Sequence, residues 1–118
     1  MSALLPQKLS LGGAIGLFEA IKADRVTAGN PVSRVMNAYS SADGHFDVGL
    51  WESTPGRWKV SYSEHEVCLL LAGRIRLIPT VGEAQEFVSG EAFVIPAGFE
   101  GEWETLEATR KLYVIYQA

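Results

Sequence analysis

Short runs of β-branched, aliphatic and aromatic residues fill the chain from Asn30 onward, and glycine, proline, aspartate or serine interrupts them about every eight to twelve residues. Such spacing is typical of strands joined by tight turns, because those four residue types favour turn conformations. It predicts strands at Ser33–Ser40, Phe46–Glu52, Trp58–Tyr62, Glu66–Leu71, Arg74–Pro79, Gln85–Val88, Ala92–Ile95, Gly101–Leu106 and Leu112–Tyr116. So many short strands predict an all-β, antiparallel fold, either a double-sheet jelly roll or a closed barrel.

The length of 118 residues fits one barrel domain and leaves no room for a second. We assign residues 31–118 to the barrel and residues 1–30 to an N-terminal arm that is irregular or partly helical. Leu9–Phe18 is mostly apolar, but glycines interrupt it and only Lys8 supplies positive charge ahead of it, a pattern unlike that of an export signal. No apolar run reaches the length of a membrane span, so we expect a cytoplasmic protein.

Charge and cysteine content exclude several classes of partner and site. Ten basic residues against fourteen acidic ones give a net charge of −4 at pH 7, the wrong sign for electrostatic binding to nucleic acid or anionic membranes. Cys68 is the only cysteine, so it cannot form a disulfide within the chain, and this fits a reducing compartment. We therefore expect neither a nucleic acid nor a membrane as partner.

Two segments that end in glycine carry a resemblance to a known family. In Glu66–Gly73, a glutamate is followed by six residues and a glycine, as at the end of the first motif of the cupin superfamily. In Gly90–Gly98, a glycine, five residues, Pro96, one residue and a second glycine match the start of the second motif. Across about residues 45–117 the chain resembles the small cupins grouped with ureidoglycine aminohydrolase and the ethanolamine-utilisation cupins. The resemblance implies an RmlC-like jelly-roll barrel, a fold that hosts many activities.

The same resemblance implies a metal site that this sequence does not complete. Metal-binding cupins take two histidines from the first motif and a third from the second, together with the glutamate that corresponds to Glu66. Gly101 stands at the third histidine position, and Thr105 replaces the asparagine that usually closes the motif. Depending on the spacing used, the first two histidine positions hold Val60 and Tyr62, Lys59 and Ser61, or Tyr62 and Glu64. One carboxylate is a poor site for a divalent ion, so we predict no metal and no other cofactor.

The two histidines of the chain do not replace the missing ligands by their positions in the sequence. Neighbours on a strand face opposite sides, so an inward Glu66 implies a surface-facing His65. The alternative for His65 is a rearranged ligand at the barrel mouth. His45 follows the Asp43-Gly44 turn signal and is interpreted as a loop residue. A Ser-His-Asp triad has no candidate set among these positions.

Strand alternation predicts which side chains face the barrel interior. In residues 100–104, glutamates alternate with Gly101 and Trp103, so we predict solvent-facing glutamates and an inward tryptophan. Lys111 and Tyr113 also face inward if the last strand presents its odd positions to the interior. The candidate ligand-binding residues are Tyr62, Glu66, Cys68, Trp103, Thr105, Lys111 and Tyr113.

A carboxylate enclosed by apolar and aromatic side chains is costly to keep charged without a partner. We therefore assign Lys111 as the counter-charge of Glu66 or as an anchor for a ligand carboxylate. Glu66 is assigned as a hydrogen-bond acceptor or, with Tyr62, as a general acid/base. For Cys68, apolar packing is favoured over a nucleophilic role, because burial beside a carboxylate raises the pKa of a thiol. The alternative for the whole set is the relic of a metal site, a satisfied internal network without a ligand.

Three functions remain open from the sequence. The first is a small-molecule-binding cupin with metal-free chemistry, such as isomerisation or lyase-type proton transfer through Glu66 and Tyr62. The second is a metal-dependent hydrolase or oxygenase, as the resemblance to ureidoglycine aminohydrolase implies. The third is a non-catalytic binding or regulatory subunit.

Two further features concern the surface of the barrel. An open jelly roll leaves strand edges and large apolar side chains that need cover, so we expect a homodimer to which the N-terminal segment contributes. Trp51 and Trp58 flank the Pro55-Gly56 turn signal and are interpreted as a barrel rim, where the stems of cationic neighbours lie over the indole faces.

Overall fold

Nine β-strands and no helix make up residues 4–12 and 15–118, which are the residues that the computed structural model describes. The strands are β1 (Glu19–Ala20), β2 (Val26–Ala28), β3 (Val32–Ser40), β4 (Phe46–Ser53), β5 (Gly56–Ser61), β6 (His65–Pro79), β7 (Gln85–Val88), β8 (Ala92–Ile95) and β9 (Glu100–Tyr116). All strand pairs run antiparallel. The predicted all-β, antiparallel fold is confirmed.

The two longest strands, β6 and β9, organise the sheet. They pair with each other along most of their length, from His65 opposite Tyr116 to Pro79 opposite Gly101. The first half of β9 also pairs with β5 and its second half with β4, while β6 pairs first with β8 and then with β7. Because each long strand changes its outer neighbour half-way, the sheet curls into the half-barrel of a jelly roll. The strand order along the main path is β1-β3-β4-β9-β5-β2.

The predicted division of β6 at the Ala72-Gly73 turn signal is wrong. The strand continues through Gly73 with register shifts around it, and this glycine has a φ of +92°. A Cβ at Gly73 would collide with Ala108 O on the paired strand, so the glycine allows a bulge in place of a turn. The predicted strands Gly101–Leu106 and Leu112–Tyr116 are likewise parts of β9, because most residues between them remain paired with β4 or β6.

The predicted N-terminal arm contains two short strands where the structure describes it, with a hydrogen-bonded turn between Lys22 and Arg25 and no helix. β1 pairs with β3, with Glu19 opposite Ser33, and β2 pairs with β5, with Val26 opposite Trp58. Residues 1–3, 13 and 14 of the arm lie outside the described residues. Within the described part of the chain, no helix has the length and apolarity needed to cross a membrane.

The hydrophobic core lies on the inner face of the half-barrel. Trp103 from β9 and Trp58 from β5 stand opposite each other in register, and their stacked rings have centroids 6.5 Å apart. Before Gly73 the buried residues of β6 have even numbers, and after it they have odd numbers, because the bulge adds one residue to the alternation. Both halves of β6 therefore contribute side chains to the core. The buried residues packed with the two tryptophans are Cys68, Leu70, Ile75, Leu77 and Ile95.

Candidate functional site

Three neighbouring strands place the polar side chains of the candidate site next to one another. β9 lies between β4 and β6 over its second half, so an inward residue of β9 has a neighbour on either side. The buried residues of β9 all have odd numbers, so the last strand does present its odd positions to the interior. Lys111 and Tyr113 therefore face the site. The rows across β4, β9 and β6 are Asp47, Ile115 and Glu66; Gly49, Tyr113 and Cys68; and Trp51, Lys111 and Leu70.

A buried ion pair joins β6 to β9. Lys111 Nζ donates to Glu66 Oε2 at 2.7 Å, and the two side chains are only 6% and 5% exposed. Cys68 Sγ donates to the same oxygen at 3.2 Å and lies 3.7 Å from Nζ. Nζ also lies 4.4 Å from the ring centroid of Trp103 and 4.7 Å from that of Trp51, within the range of cation–π attraction. A carboxylate, a sulfur and two indole faces therefore replace the water around the ammonium group.

Protonation states at the site follow from burial and from the ion pair. Burial alone would lower the pKa of Lys111, but the adjoining Cys68 and Glu66 raise it above the ordinary range of a lysine, so the ammonium stays charged. Burial raises the pKa of Cys68 to about 12, against the lowering effect of Lys111. Burial also raises the pKa of Tyr62 above its ordinary range. At neutral pH the thiol and the phenol are therefore both uncharged.

Thr105 and Ser53 hold the indole of Trp103 in place. Trp103 Nε1 donates to Thr105 Oγ1 at 2.9 Å, and Thr105 Oγ1 shares a hydrogen bond of 3.0 Å with Ser53 Oγ. Ser53 Oγ in turn donates to Thr54 O at 2.7 Å. A buried indole N–H needs an acceptor, and Thr105 supplies it. Thr105 therefore fixes the orientation of Trp103, which forms part of the wall of the site.

Gly49 makes room for Tyr113 to reach across β4. Tyr113 OH donates to Asn37 Oδ1 on β3 at 2.7 Å, although β4 lies between their two strands. A Cβ at Gly49 would collide with the Tyr113 hydroxyl and with Met36 O. A glycine at this position is therefore what allows the phenol to cross the strand and form the hydrogen bond.

These side chains surround an open cavity of about 530 Å³. That volume is within the range of small-molecule sites. Cys68 and Thr105 are fully buried behind the wall, and each is hydrogen-bonded to a residue that lines it. The other five predicted ligand-binding residues line the cavity itself: Tyr62, Glu66, Trp103, Lys111 and Tyr113.

The sequence from residue 40 to residue 113 matches the family described as the EutQ-like cupin domain. The chain belongs to the EutQ-like cupin family. The resemblance drawn from the two motifs is thereby confirmed, and Glu66 of the first motif lies at the cavity of this cupin.

Solved structures agree with this cupin fold. A protein of unknown function from Pseudomonas syringae superposes with a TM-score of 0.80 at 20% sequence identity, over 91% of this chain but only 46% of that one. The EutQ protein of Clostridium difficile gives a TM-score of 0.66 at 21% identity, over 85% of this chain and 74% of the other. A putative ethanolamine utilization protein Q from Salmonella typhimurium gives 0.66 at 18% identity, over 90% and 99%. The sequence has no significant match among curated proteins.

The residues of this EutQ-like cupin do not fit the metal that the cupin resemblance implies. In residues 4–12 and 15–118, no group of three or more His, Cys, Asp or Glu side chains is arranged to hold an ion. The Lys111 ammonium already contacts Glu66 Oε2, where a cation would have to bind. Gly101 stands opposite Val60 on β5, and neither residue has a donor side chain.

Neither histidine is among the residues that line the cavity, although His65 stands between two that do, Glu64 and Glu66. His65 is exposed, accepts a hydrogen bond from Ala97 N–H on Nδ1 at 3.1 Å, and stacks on Tyr116. His45 is exposed and its Nδ1 contacts Gln117 O. The structure therefore places His65 on the surface, and the mouth-ligand alternative for it is not found.

The interpretation of Trp51 and Trp58 as a barrel rim is corrected by the structure. Trp58 is buried in the core, Trp51 covers the Lys111 ammonium, and both line the cavity. Alternation along β5 and β4 does not decide whether these tryptophans face the interior or the surface. For Trp58 the pairing register decides it, because Trp58 stands opposite the inward-facing Trp103. Asp47 was likewise not predicted, and it lines the cavity because β4 places it in the same row as Glu66.

Proposed function

We propose that this EutQ-like cupin binds a small polar molecule in the cavity without the help of a metal ion. Glu66 and Lys111 form the polar part of the proposed site, and the indoles of Trp51, Trp58 and Trp103 form its apolar wall. The observation that carries the proposal is a buried ion pair that lines an open cavity.

A buried ion pair is a weak source of stability by itself. Removing two charges from water often costs more than their attraction returns, and apolar residues of similar volume stabilise many folds as well or better. Beside a cavity, by contrast, such a pair offers a ligand fixed hydrogen-bonding groups in surroundings that contain little water. The hydrogen bonds from Lys111 Nζ and Cys68 Sγ both end on Oε2, and Tyr62 also interacts with this carboxylate, so a ligand that binds Oε1 does so beside the Tyr62 phenol.

The lining of the cavity favours certain ligands. A molecule with a hydrogen-bond donor for Glu66 and a flat or aliphatic part for the indoles fits it. Two structural neighbours are EutQ proteins, one of them named for ethanolamine utilization, so amino alcohols are reasonable test compounds beside amides, sugar acids and carboxylates. The charged side chains that line the cavity are Arg25, Asp47, Glu64, Glu66 and Lys111.

Proton transfer is the chemistry that these groups can add to binding. Glu66 can accept a proton from a bound molecule, and Tyr62, a phenol that burial keeps protonated on the same cavity wall, can donate a hydrogen bond to it. Cys68 is not assigned as a nucleophile, because its thiol, with a pKa of about 12, stays protonated. We do not propose a metal-dependent hydrolase or oxygenase, because the described residues lack the ligand set that such chemistry requires.

Intrinsic fluorescence gives a direct test, because all three tryptophans of the chain line the cavity. The purified protein is titrated with amino alcohols, amides, sugar acids and small carboxylates, and every response is verified by calorimetry. We expect at least one class to bind. NMR of the bound compound over time then separates proton-transfer chemistry, which changes the compound, from a binding or regulatory role, which leaves it intact.

Glu66→Gln keeps the side-chain volume and removes the charge. It is expected to weaken binding of the responding compound by about 1.5–3 kcal/mol, or roughly 10- to 150-fold, because a charge-assisted hydrogen bond is lost. Glu107→Gln is the matched control on the same pair of long strands, since Glu107 is exposed and contacts Arg74 on the outer face. If no compound binds, or if Glu66→Gln binds as tightly as wild type, the interior is a network without a ligand and the proposal is overturned.

A further inference from the structure

Three carboxylates line one end of the cavity. Asp47 on β4 and Glu66 on β6 stand in one row, with Ile115 of β9 between them. Adjacent strands lie about 4.8 Å apart, so the two backbones are about 10 Å apart and a small group has room between the two side chains. Glu64 lines the cavity two residues before Glu66. Burial raises the pKa of the neighbouring Tyr113, and the negative charges of Asp47 and Glu66 raise it further.

The chain balances only one of these three negative charges. Lys111 Nζ lies 2.7 Å from Oε2 of Glu66 and neutralises it. Asp47 and Glu64 are half-buried, and none of the ion pairs between described residues includes either of them. The hydrogen bonds described for their carboxylates come from serine hydroxyls. Two negative charges therefore face this end of the cavity, where a positive group beside them is favourable.

The other lining cation, Arg25, lies along a different part of the cavity wall. Its Nε donates to Lys59 O on β5 at 3.0 Å, and β5 pairs with the first half of β9. Asp47 instead stands opposite Ile115, in the second half of β9. The cavity is therefore polarised, with its carboxylates concentrated at the end where β4, β9 and β6 are neighbours.

The chain already holds one ammonium group against this wall. Lys111 Nζ contacts a carboxylate oxygen and lies 4.4 Å and 4.7 Å from the ring centroids of Trp103 and Trp51. Carboxylates and indole faces are the groups that proteins use to bind organic ammonium ions. Trp51 is only half-buried and lines the cavity, so its indole is also accessible to a ligand.

We propose that the ligand of the cavity is a protonated amine and that Asp47 is the residue that selects it. The ammonium group lies between Asp47 and Glu66, and the carbon part of the amine lies against the indole of Trp51. An anionic ligand in the same place meets the uncompensated charges of Asp47 and Glu64 and is rejected. This inference rests on the proposed function, because it names the class of ligand for the same cavity.

Two series of matched compounds test the ligand class by tryptophan fluorescence and calorimetry. One is phenethylamine, phenethyl alcohol and hydrocinnamate, and the other is butylamine, butanol and pentanoate. At pH 7 the members of each series are a cation, a neutral molecule and an anion of similar size. We expect each amine to bind at least about tenfold more tightly than its alcohol, and each carboxylate to bind most weakly. Added salt should weaken the binding of the amines, because Asp47 is only half-buried.

Asp47→Asn tests the selecting residue. It keeps the side-chain volume and an oxygen that can accept the hydrogen bond from Ser40, and it removes the charge. We expect amine binding to weaken about tenfold, while binding of the alcohol is unchanged. Asp24→Asn is the matched control, because Asp24 is exposed in the turn between β1 and β2 and does not line the cavity. Circular dichroism verifies each fold, and Glu64→Gln at the same end supplies a second variant if Asp47→Asn does not fold.

An alcohol or carboxylate that binds as tightly as its matched amine overturns the inference. It is also overturned if Asp47→Asn keeps the full preference for the amine. If another class of compound binds in a manner that depends on Glu66 while neither amine binds, the proposed function stands without this inference. If neither these series nor the wider panel contains a compound that binds, the proposed function itself fails and the inference fails with it.

Discussion

The strands β6 and β9 carry two different arrangements of charge on their two faces. Toward the interior, Glu66 and Lys111 form one pair that is almost wholly buried and lies against two indoles. Toward solvent, a network of ion pairs with distances between 2.5 and 3.7 Å runs across the neighbouring strands. Its members are Arg74, Arg76, Glu86, Glu104 and Glu107.

The difference shows that the number of ion pairs and their energetic weight are separate quantities. The outer side chains are 22% to 64% exposed, although Arg74 Nε and Glu104 Oε1 are themselves buried without a hydrogen bond among the described residues. Their charges are screened by salt, and the loss of one partner leaves the other in contact with water. The inner charges have no such alternative, because the loss of one leaves the other unpaired in a low-dielectric interior. The single inner pair therefore links folding to the chemistry of the cavity, whereas the outer network affects mainly the surface.

The largest expected effect comes from Lys111→Met, which removes the inner cation and leaves Glu66 without a partner. We expect a loss of about 3–5 kcal/mol in the free energy of unfolding at pH 7, measured by urea denaturation. Lys59→Met is the control, because Lys59 is exposed on β5, and it should leave the midpoint unchanged. If Lys111→Met lowers the free energy of unfolding by no more than Lys59→Met does, the inner ion pair carries no more energetic weight than the outer charges.

An intermediate effect is expected from the buried thiol at alkaline pH. Burial raises the pKa of Cys68 from 9.0 to about 12, so the unfolded chain gives up this proton at lower pH than the folded chain. The stabilising contribution is complete below pH 9 and decreases as the pH rises toward 12. Between about pH 8 and pH 10, wild type should therefore lose roughly 1.4 kcal/mol more than Cys68→Ala. Equal losses in the two proteins would show that the thiol is not protected as described.

A smaller net change is expected when both inner charges are replaced together. Glu66→Leu combined with Lys111→Met should unfold within about 1 kcal/mol of wild type, because an apolar pair removes both desolvation costs. The same double variant should no longer bind the compound found for wild type by fluorescence. If it is as unstable as Lys111→Met alone, packing and not charge explains the single variant.

The smallest effect is expected on the outer face. Arg76→Gln removes the cation that contacts both Glu86 and Glu104. Because the side chains of Arg76 and Glu86 are 38% and 40% exposed, the denaturation midpoint should stay close to that of wild type, and any difference should shrink with added salt. A midpoint shift as large as that of Lys111→Met, measured in the same buffer, would reverse the ranking of the two faces.

The sequence by itself determined the local pattern of the strands. β7 and β8 begin and end where the turn signals predict, and alternation correctly turns Trp103 toward the interior and His65 toward solvent. These features follow from two properties that depend only on nearby residues, namely the period of two along a strand and the preference of glycine and proline for turns. The cupin motifs around Glu66 added the family and hence the overall topology.

Tertiary structure decided the features that depend on register between distant strands. Glu66 and Lys111 are 45 residues apart, and they meet because β6 and β9 pair in one register. The sequence left open which face of the last strand points inward, since alternation fixes only that neighbours differ. Gly73 is read locally as a turn, but pairing on both sides makes it a bulge. Local residue patterns specify alternation, whereas long-range hydrogen bonding selects which side chains become neighbours.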